Sequence, residues 1–384
     1  MQHRAESAGS PNTRDVKITL VREIIQRLLR GINFDAAAAT DLAESFLEPE
    51  LRGHARQGFD HLLYYFIPLV TAGRIDPQAT PSISREGPAY ALLNAGRGAG
   101  HFAVNRAVDI AVAKARVAGC CTVGVNNAFE VFMVGLYAER AAREGLVGIF
   151  FTDSTAIVHP TGGAERVIGA NVFAVAVPTA GPDPMLMDLS VLNGAGPSAV
   201  AEIARRGGLL PEGIAVDAEG RPTLDPAQVL MGGAMSPFGG HRGYALALSI
   251  ALLSASLVGG AVGRGLYSHV PSTQFQGDGN RPADWVDHMD EDRYGPDGHK
   301  GHLFIAIDPA AFGELDDFYQ SVSAYINDIK SSQKAPGVSE ILIPGERSFA
   351  ARRDSLERGT IPIDEEAWLA AKQVAAKLGV EMPA

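Results

Sequence analysis

Cysteine is almost absent from this 384-residue chain: there are two, Cys120-Cys121, adjacent within an apolar run. A disulfide framework is excluded, and a thiolate metal site lacks its spacing. So few thiols point to a reducing compartment, the cytoplasm. Positive charge is also short. Lys and Arg number 33 against 44 Asp and Glu, a net charge of −11, which argues against nucleic acid or an anionic membrane as partner. The first residues, 1–14, have no apolar signal core and read as a disordered polar tail. No Gly-x-Gly-x-x-Gly follows an apolar strand, and there is no phosphate-binding Gly-Lys-Ser/Thr loop. The histidines are scattered without His-x-x-x-His spacing, so no metal is expected. One long uncharged run exists, Tyr244 to Gly263, near the length that spans a bilayer. It is rich in Ala, Ser and Gly and is flanked by Arg242 and Arg264, so it reads as a central buried helix.

What is present is a chain large enough for a sizeable core, 46% apolar and 20% charged. Ile18, Val21, Ile25 and Leu28 recur at helical spacing before Gly31, and Asp35 opens a second helix through Leu42 and Phe46. Further helices are expected near 60–72, at Val104 to Ala115 before Gly119, at 132–144, at 310–330 and at 364–378. Apolar strands are expected at Cys121–Val125, Leu146–Thr152, Val172–Val177 and His302–Asp308. Their alternation indicates a layered α/β core. The polar segment 264–300 reads as a long loop, a lid or an oligomer contact.

Several short pieces could carry chemistry. Pro160-Thr161-Gly162-Gly163 is either a plain turn or a cradle for an anion. Pro237-Phe238-Gly239-Gly240-His241-Arg242 opens the uncharged run, where helix-start amides beside a guanidinium suit a phosphate or carboxylate; the alternative is a capped helix with a surface arginine. Asp188, after Pro184-Met185-Leu186-Met187, is a turn former or a proton partner.

The segment Glu50-Leu51-Arg52-Gly53-His54-Ala55-Arg56-Gln57-Gly58 resembles the active-site frame of the type-2 malate/L-lactate dehydrogenases, Arg-Gly, two variable residues, then Ser-His-Gly. Other pieces follow in family order: Asp153-Ser154 with Pro160, Gly162-Gly163 and Gly169-Ala170-Asn171; Met187-Asp188; Leu210-Pro211-Glu212-Gly213; Gly239-Gly240-His241-Arg242-Gly243-Tyr244; and Pro344-Gly345-Glu346. The similarity runs over about 16–380. It implies a three-layer, mixed-sheet α/β core with helical N- and C-terminal segments, and a homodimer. The divisions would be the tail 1–14, a helical segment 15–80 joined in one lobe by 331–384, and a cofactor and substrate core 81–330. It implies NAD(P)H as cofactor, contacted by Pro184, Met187, Asp188, Leu189, Ser190, His241, Arg242, Gly345, Glu346 and Arg347.

The departures lie where the family holds substrate. Gln57 replaces the histidine that carries the substrate proton, Arg56 replaces its serine neighbour, and His61 stands where an arginine often follows. In Asn126 to Phe132, Phe129 and Asn126 replace a histidine and an arginine. A glutamine amide does not titrate and cannot supply a proton. Glu130, Asp188, His54 or His61 could be the relocated acid/base group, and Arg56 could hold a substrate carboxylate. The resemblance thus implies an NAD(P)H-dependent oxidoreductase acting on a small carboxylated ketone, 2-hydroxy acid or cyclic imine, whose nitrogen can be protonated before hydride arrives. The alternatives are a non-redox lyase or hydrolase on the same scaffold, or a binding protein without catalysis.

Overall fold

The computed structural model describes residues 12–194, 196–266 and 299–383. Most of the tail, and most of the loop expected at 264–300, lie outside them. In chain order the first elements are β1 Thr13–Lys17, α1 Ile18–Gly31, α2 Ala36–Leu51, α3 Phe59–His61, α4 Ile67–Thr71, β2 Ser82–Gly87, β3 Tyr90–Asn94, α5 Gly100–Ala118, β4 Cys120–Ala128, α6 Gly135–Arg143 and β5 Val147–Thr152. There follow β6 Ala156–Val158, β7 Ile168–Gly169, β8 Val172–Val177, β9 Met185–Ser190, α7 Pro197–Arg205, β10 Ala215–Val216, α8 Pro226–Leu230, β11 Ala234–Met235 and α9 His241–Ala251. The chain closes with β12 Lys300–Ile307, α10 Leu315–Ser331, α11 Glu346–Arg358, β13 Thr360–Asp364 and α12 Glu365–Leu378.

The three-layer mixed-sheet core expected from the sequence is present. Its central sheet has seven strands in the order β2-β3-β4-β12-β5-β8-β9. Only β3 and β4 run parallel; β12 enters antiparallel between β4 and β5. Helices α5 and α6 cover one face, through Val104, Val108, Ala111, Tyr137 and Ala138. On the other face lie α9 and the π-turn Leu252–Ser256 that continues it. That layer sits unusually close: a Cβ on Gly301 would fall 2.1 Å from the Ser254 carbonyl oxygen, so β12 tolerates no side chain there. A second sheet, β10-β11-β6-β7, has its own core around Val158, Val200, Ile214 and Met235.

The chain ends meet. β1 begins at Thr13, inside the stretch read as a tail, and pairs antiparallel with β13, Thr13 opposite Asp364. Asp35 caps α2 by accepting the Ala38 amide at 2.8 Å. The apolar stripe of α1 packs with Phe46, Phe66, Ile361, Ile363 and Trp368 in one core. The helix expected near 60–72 is α3 and α4 joined by a π-turn, Leu62–Phe66.

One expectation is overturned. The run Tyr244 to Gly263 is not buried all round. Ala247, Ile250, Ser254 and Ala255 face the sheet, while Leu248, Leu252, Leu253 and Leu257 face outward, with Leu257 65% exposed. A layer that meets the sheet with one side leaves the other side of its helix uncovered within this chain. Helix α10 likewise has no buried residue.

Candidate active site

The frame begins where α2 ends. Arg52 is buried, and its guanidinium donates to Glu139 on α6 at 2.7 Å and to Glu48 at 3.1 Å. Glu48 in turn receives both Nε and Nη2 of Arg352 on α11, each at 2.8 Å, and Glu139 receives Arg143 at 2.6 Å. Glu50, also buried, accepts the Phe59 amide at 2.6 Å. Between these anchors the 3-10 turn Ala55–Gln57 protrudes, closed by the Gln57 amide on the His54 carbonyl at 2.8 Å. Gly58 must be glycine: a Cβ would lie 2.5 Å from the Glu50 carboxylate and 2.7 Å from the Phe46 carbonyl oxygen. Gln57 is exposed and His54 is half-buried. Arg56 reaches Glu202 on α7 at 2.5 Å, so its charge is met by this chain's own carboxylate.

Beneath the frame lies a polar cluster. His61 stacks near Tyr65 and meets the edge of Phe132, at ring-centroid separations of 4.8 and 5.6 Å. The Tyr65 hydroxyl donates to Glu130 at 3.1 Å, and Glu130 forms an ion pair with Lys300, at the start of β12. Burial opposes ionisation of Glu130, yet Lys300, His61 and Tyr65 together hold its carboxyl below the usual range. Burial drives His61 down to about 4, with Glu130 pulling it up and Lys300 pushing it down, so the ring is neutral near pH 7. Asp153, at the end of β5, accepts the Ser154 amide at 2.8 Å. Burial raises it to about 6 against the amides of Ser154 and Gly263 and the charge of Lys300. His302 is held between Thr152, at 2.8 Å, and the Phe129 carbonyl, at 3.3 Å. Burial lowers it to about 3. The end of β4 and the loop after it are bent to fit, with Asn127 and Phe132 at φ of 52° and 58°, a left-handed conformation that is costly for a phenylalanine. Of the six sequence candidates for catalysis, the structure brings His61 and Glu130 into one cluster, bridged by Tyr65. It adds Tyr65, Asp153 and Lys300, which sequence reasoning did not single out. Tyr65 stands one helical turn after His61, a legible signal. Lys300 comes near only because β12 inserts beside β4.

The expected cofactor residues gather along the edge strand β9. At one end the Leu186 amide donates to the Pro344 carbonyl at 3.0 Å, which brings Gly345 against the strand at φ 97°. At the other end the Phe238 amide donates to the Val191 carbonyl at 2.9 Å, which places Ser190 beside the start of α9. Pro184, Met187, Leu189 and Ser190 lie between, over a length of about 20 Å at ~3.3 Å per residue. Glu346 is engaged by Lys330 at 2.6 Å and by the Ile343 amide at 2.9 Å. His241, Arg242 and Arg347 are exposed. Asp188 is within β9 rather than in a turn, which corrects that reading. Its carboxylate accepts the Gly135 amide at 2.7 Å, at the start of α6, and burial raises it to about 6. Pro160 to Gly163 is a tight turn, closed by the Gly163 amide on the Pro160 carbonyl at 2.9 Å.

A family model described as malate/L-lactate dehydrogenase matches residues 16–371. The chain belongs to this family. A malate dehydrogenase of Pyrococcus abyssi is 32% identical over 365 residues, 93% of each chain. A Delta(1)-pyrroline-2-carboxylate/Delta(1)-piperideine-2-carboxylate reductase of Pseudomonas putida is 30% identical over 353 residues, 91% of this chain and 94% of the relative. The solved sulfolactate dehydrogenase of Methanocaldococcus jannaschii superposes with a TM-score of 0.83 at 28% identity, covering 96% of this chain and 98% of that one. Family membership makes the chain an oxidoreductase of the malate/L-lactate dehydrogenase type. Among its described residues no helix is long and apolar enough to cross a membrane.

The family frame here rests on a carboxyl that titrates. Burial raises Glu50 from 4.5 to about 8, the Phe59 amide opposing and Asp60 adding repulsion. The folded state therefore holds a proton that the unfolded state has released, and stability falls as pH rises from about 4.5 through about 8. Glu50→Gln keeps a carbonyl for the Phe59 amide and removes the titration. Its melting temperature should exceed the parent's by a few degrees at pH 8.5, with a smaller or reversed difference at pH 5. Identical melting-versus-pH curves for the two proteins would refute this role.

Proposed function

We propose that this protein is a nicotinamide-dependent reductase or dehydrogenase of a small carboxylated substrate, a ketone, its 2-hydroxy acid or a cyclic imine. One observation carries the reading: backbone hydrogen bonds bring to the two ends of β9 the segments that carry two exposed arginines, Arg242 and Arg347, whose side chains have no ion pair or hydrogen bond among the described residues. Gly239 and Gly240, at φ of 58° and 59°, lead into α9, whose first turn carries no side-chain cap. Such a helix start suits the phosphates of a dinucleotide. Residues Pro184 to Ser190 and Gly345 would line the rest of it. When bound, the dinucleotide would supply the hydride; this chain would orient the substrate and, for a ketone, provide the proton.

Gln57 sets the substrate preference. An intact frame presents an amide where the family has an imidazole, so a keto acid would find no acid at that position. An imine that arrives protonated needs none, and imine reductases occur among the relatives. Arg56 is a weaker carboxylate clamp than its sequence position suggests, because Glu202 already holds it. The reducing interior implied by Cys121, free and buried, fits the cytoplasm. The outward leucines of α9 and the unburied α10 fit a homodimer in which a second copy covers them.

Three measurements follow. In steady-state turnover with NADH and NADPH, the parent should reduce cyclic imino acids faster than pyruvate and oxaloacetate. A keto acid reduced faster than every imino acid tested would contradict it. Arg242→Ala should weaken whichever nucleotide binds by about 10- to 150-fold, equivalent to ~1.5–3 kcal/mol for a charged hydrogen bond; unchanged affinity sinks the phosphate assignment. Light scattering at micromolar concentration should give the mass of a dimer, and Leu252→Lys/Leu257→Lys should give a monomer. A monomeric parent overturns the interface.

A further inference from the structure

We infer that Lys300, held in place by Glu130, carries the substrate proton in place of the imidazole missing at position 57. The inference rests on the oxidoreductase reading and adds a catalytic residue to it. The site must contain a proton donor if ketones or 2-hydroxy acids are turned over, and four of the candidates are poorly suited. Glu130 is kept ionised by Lys300 and Tyr65, so it accepts protons and does not give them. His61 is neutral near pH 7, with its Nε2 sealed from solvent and without a hydrogen bond. Asp188 is committed to the Gly135 amide at 2.7 Å. Gln57 has no proton to lose.

Lys300 has what those groups lack. Its ammonium has three donors, and Glu130 takes one of them. It is nearly buried, its side chain 11% exposed, so its position is set by packing rather than by solvent. Around it the chain leaves polar atoms without partners. Asp153 Oδ2 and Ser154 Oγ, like His61 Nε2, are buried and meet no hydrogen-bond partner of ordinary geometry. Asp153 itself is only 1% exposed. Buried polar atoms are rarely left unpaired in a native protein. The Asp153 and His61 atoms lie within the field of that ammonium, and a bound polar substrate would satisfy them.

The step balances simply. As hydride reaches the carbon of a keto substrate, the C=O π-bond breaks toward oxygen. The oxygen takes a proton from Lys300 Nζ, an N–H bond breaking as the O–H forms. The neutral amine is reprotonated from water, while the Glu130 carboxylate orients it. Oxidation runs the same steps in reverse.

The test uses the full chain with NADH or NADPH and the best keto acid of the panel. Lys300→Ala alone would strand the Glu130 charge, so Lys300→Ala/Glu130→Gln is made beside it. In both, kcat should fall by roughly 100- to 10,000-fold, while nucleotide affinity stays within about twofold by fluorescence titration. Added ethylamine should restore turnover to the double variant in proportion to its concentration, an effect that a merely structural lysine does not produce. Lys300→Arg should not restore it. Parent activity with undiminished kcat in the double variant, or a folded double variant that binds nucleotide but is not rescued by amine, overturns the assignment of Lys300 alone. A parent that turns over no substrate with either nucleotide overturns this assignment and the redox reading together.

Discussion

The buried guanidinium of Arg52 holds three parts of the chain in register. It joins the end of α2 to α6 through Glu139, and through Glu48 it is coupled to Arg352 of α11. Such a group is expensive to desolvate and is tolerated because its neighbours meet it with carboxylates and with the face of Phe349, 5.2 Å away. Removing one member would leave an unpaired charge inside the protein, which is far more damaging than never having had the set. The end of α2, α6 and α11 therefore keep their mutual positions because one arginine cannot be freed without disturbing all of them. The field of Arg52 also reaches Asp188 and counters the effect of burial there.

A second constraint acts on the polar cluster. Phe132 sits in a left-handed conformation while its ring packs against Phe46, Phe66 and His61. Aromatic packing on this scale offsets a local backbone cost of order 1–3 kcal/mol. It thereby turns the loop after β4 so that Glu130 faces Tyr65 and Lys300. The charges in the cluster are thus placed by apolar contacts. Their protonation states then follow from burial and from one another: an ionised Glu130, a neutral His61 and an Asp153 raised to about 6.

Local order was the most legible part of the sequence. Helices α1, α2, α5 and α12 announce themselves by apolar periodicity and by the caps Asp35 and Asp364. The family frame was equally readable, and with it the fold. Other features depend on distant partners. The stretch Glu346–Arg358 is charged along its length and became legible as a helix only through its contacts with α2. The strand expected to end at Val125 runs on to Ala128 because Lys300 pairs opposite it. The uncharged run at α9 carries no periodic sign of which face meets solvent. Arg56 read as a free clamp because Glu202 lies 146 positions away. Lys300 and Asp153 were unreadable as site residues for the same reason: the insertion of β12 between β4 and β5 is a non-local event.

That insertion, with Gly301 pressed against the Ser254 carbonyl, has a consequence for how the site can change over evolutionary time. Lys300 immediately precedes a position where no Cβ fits. The backbone that presents side chain 300 cannot drift, whatever residue occupies it. Substitution there alters chemistry while the coordinates of the attachment point persist. The scaffold can therefore exchange one reaction for another by single-codon steps in the polar cluster, and selection on stability, acting at the glycine, preserves the geometry on which each new chemistry is tried.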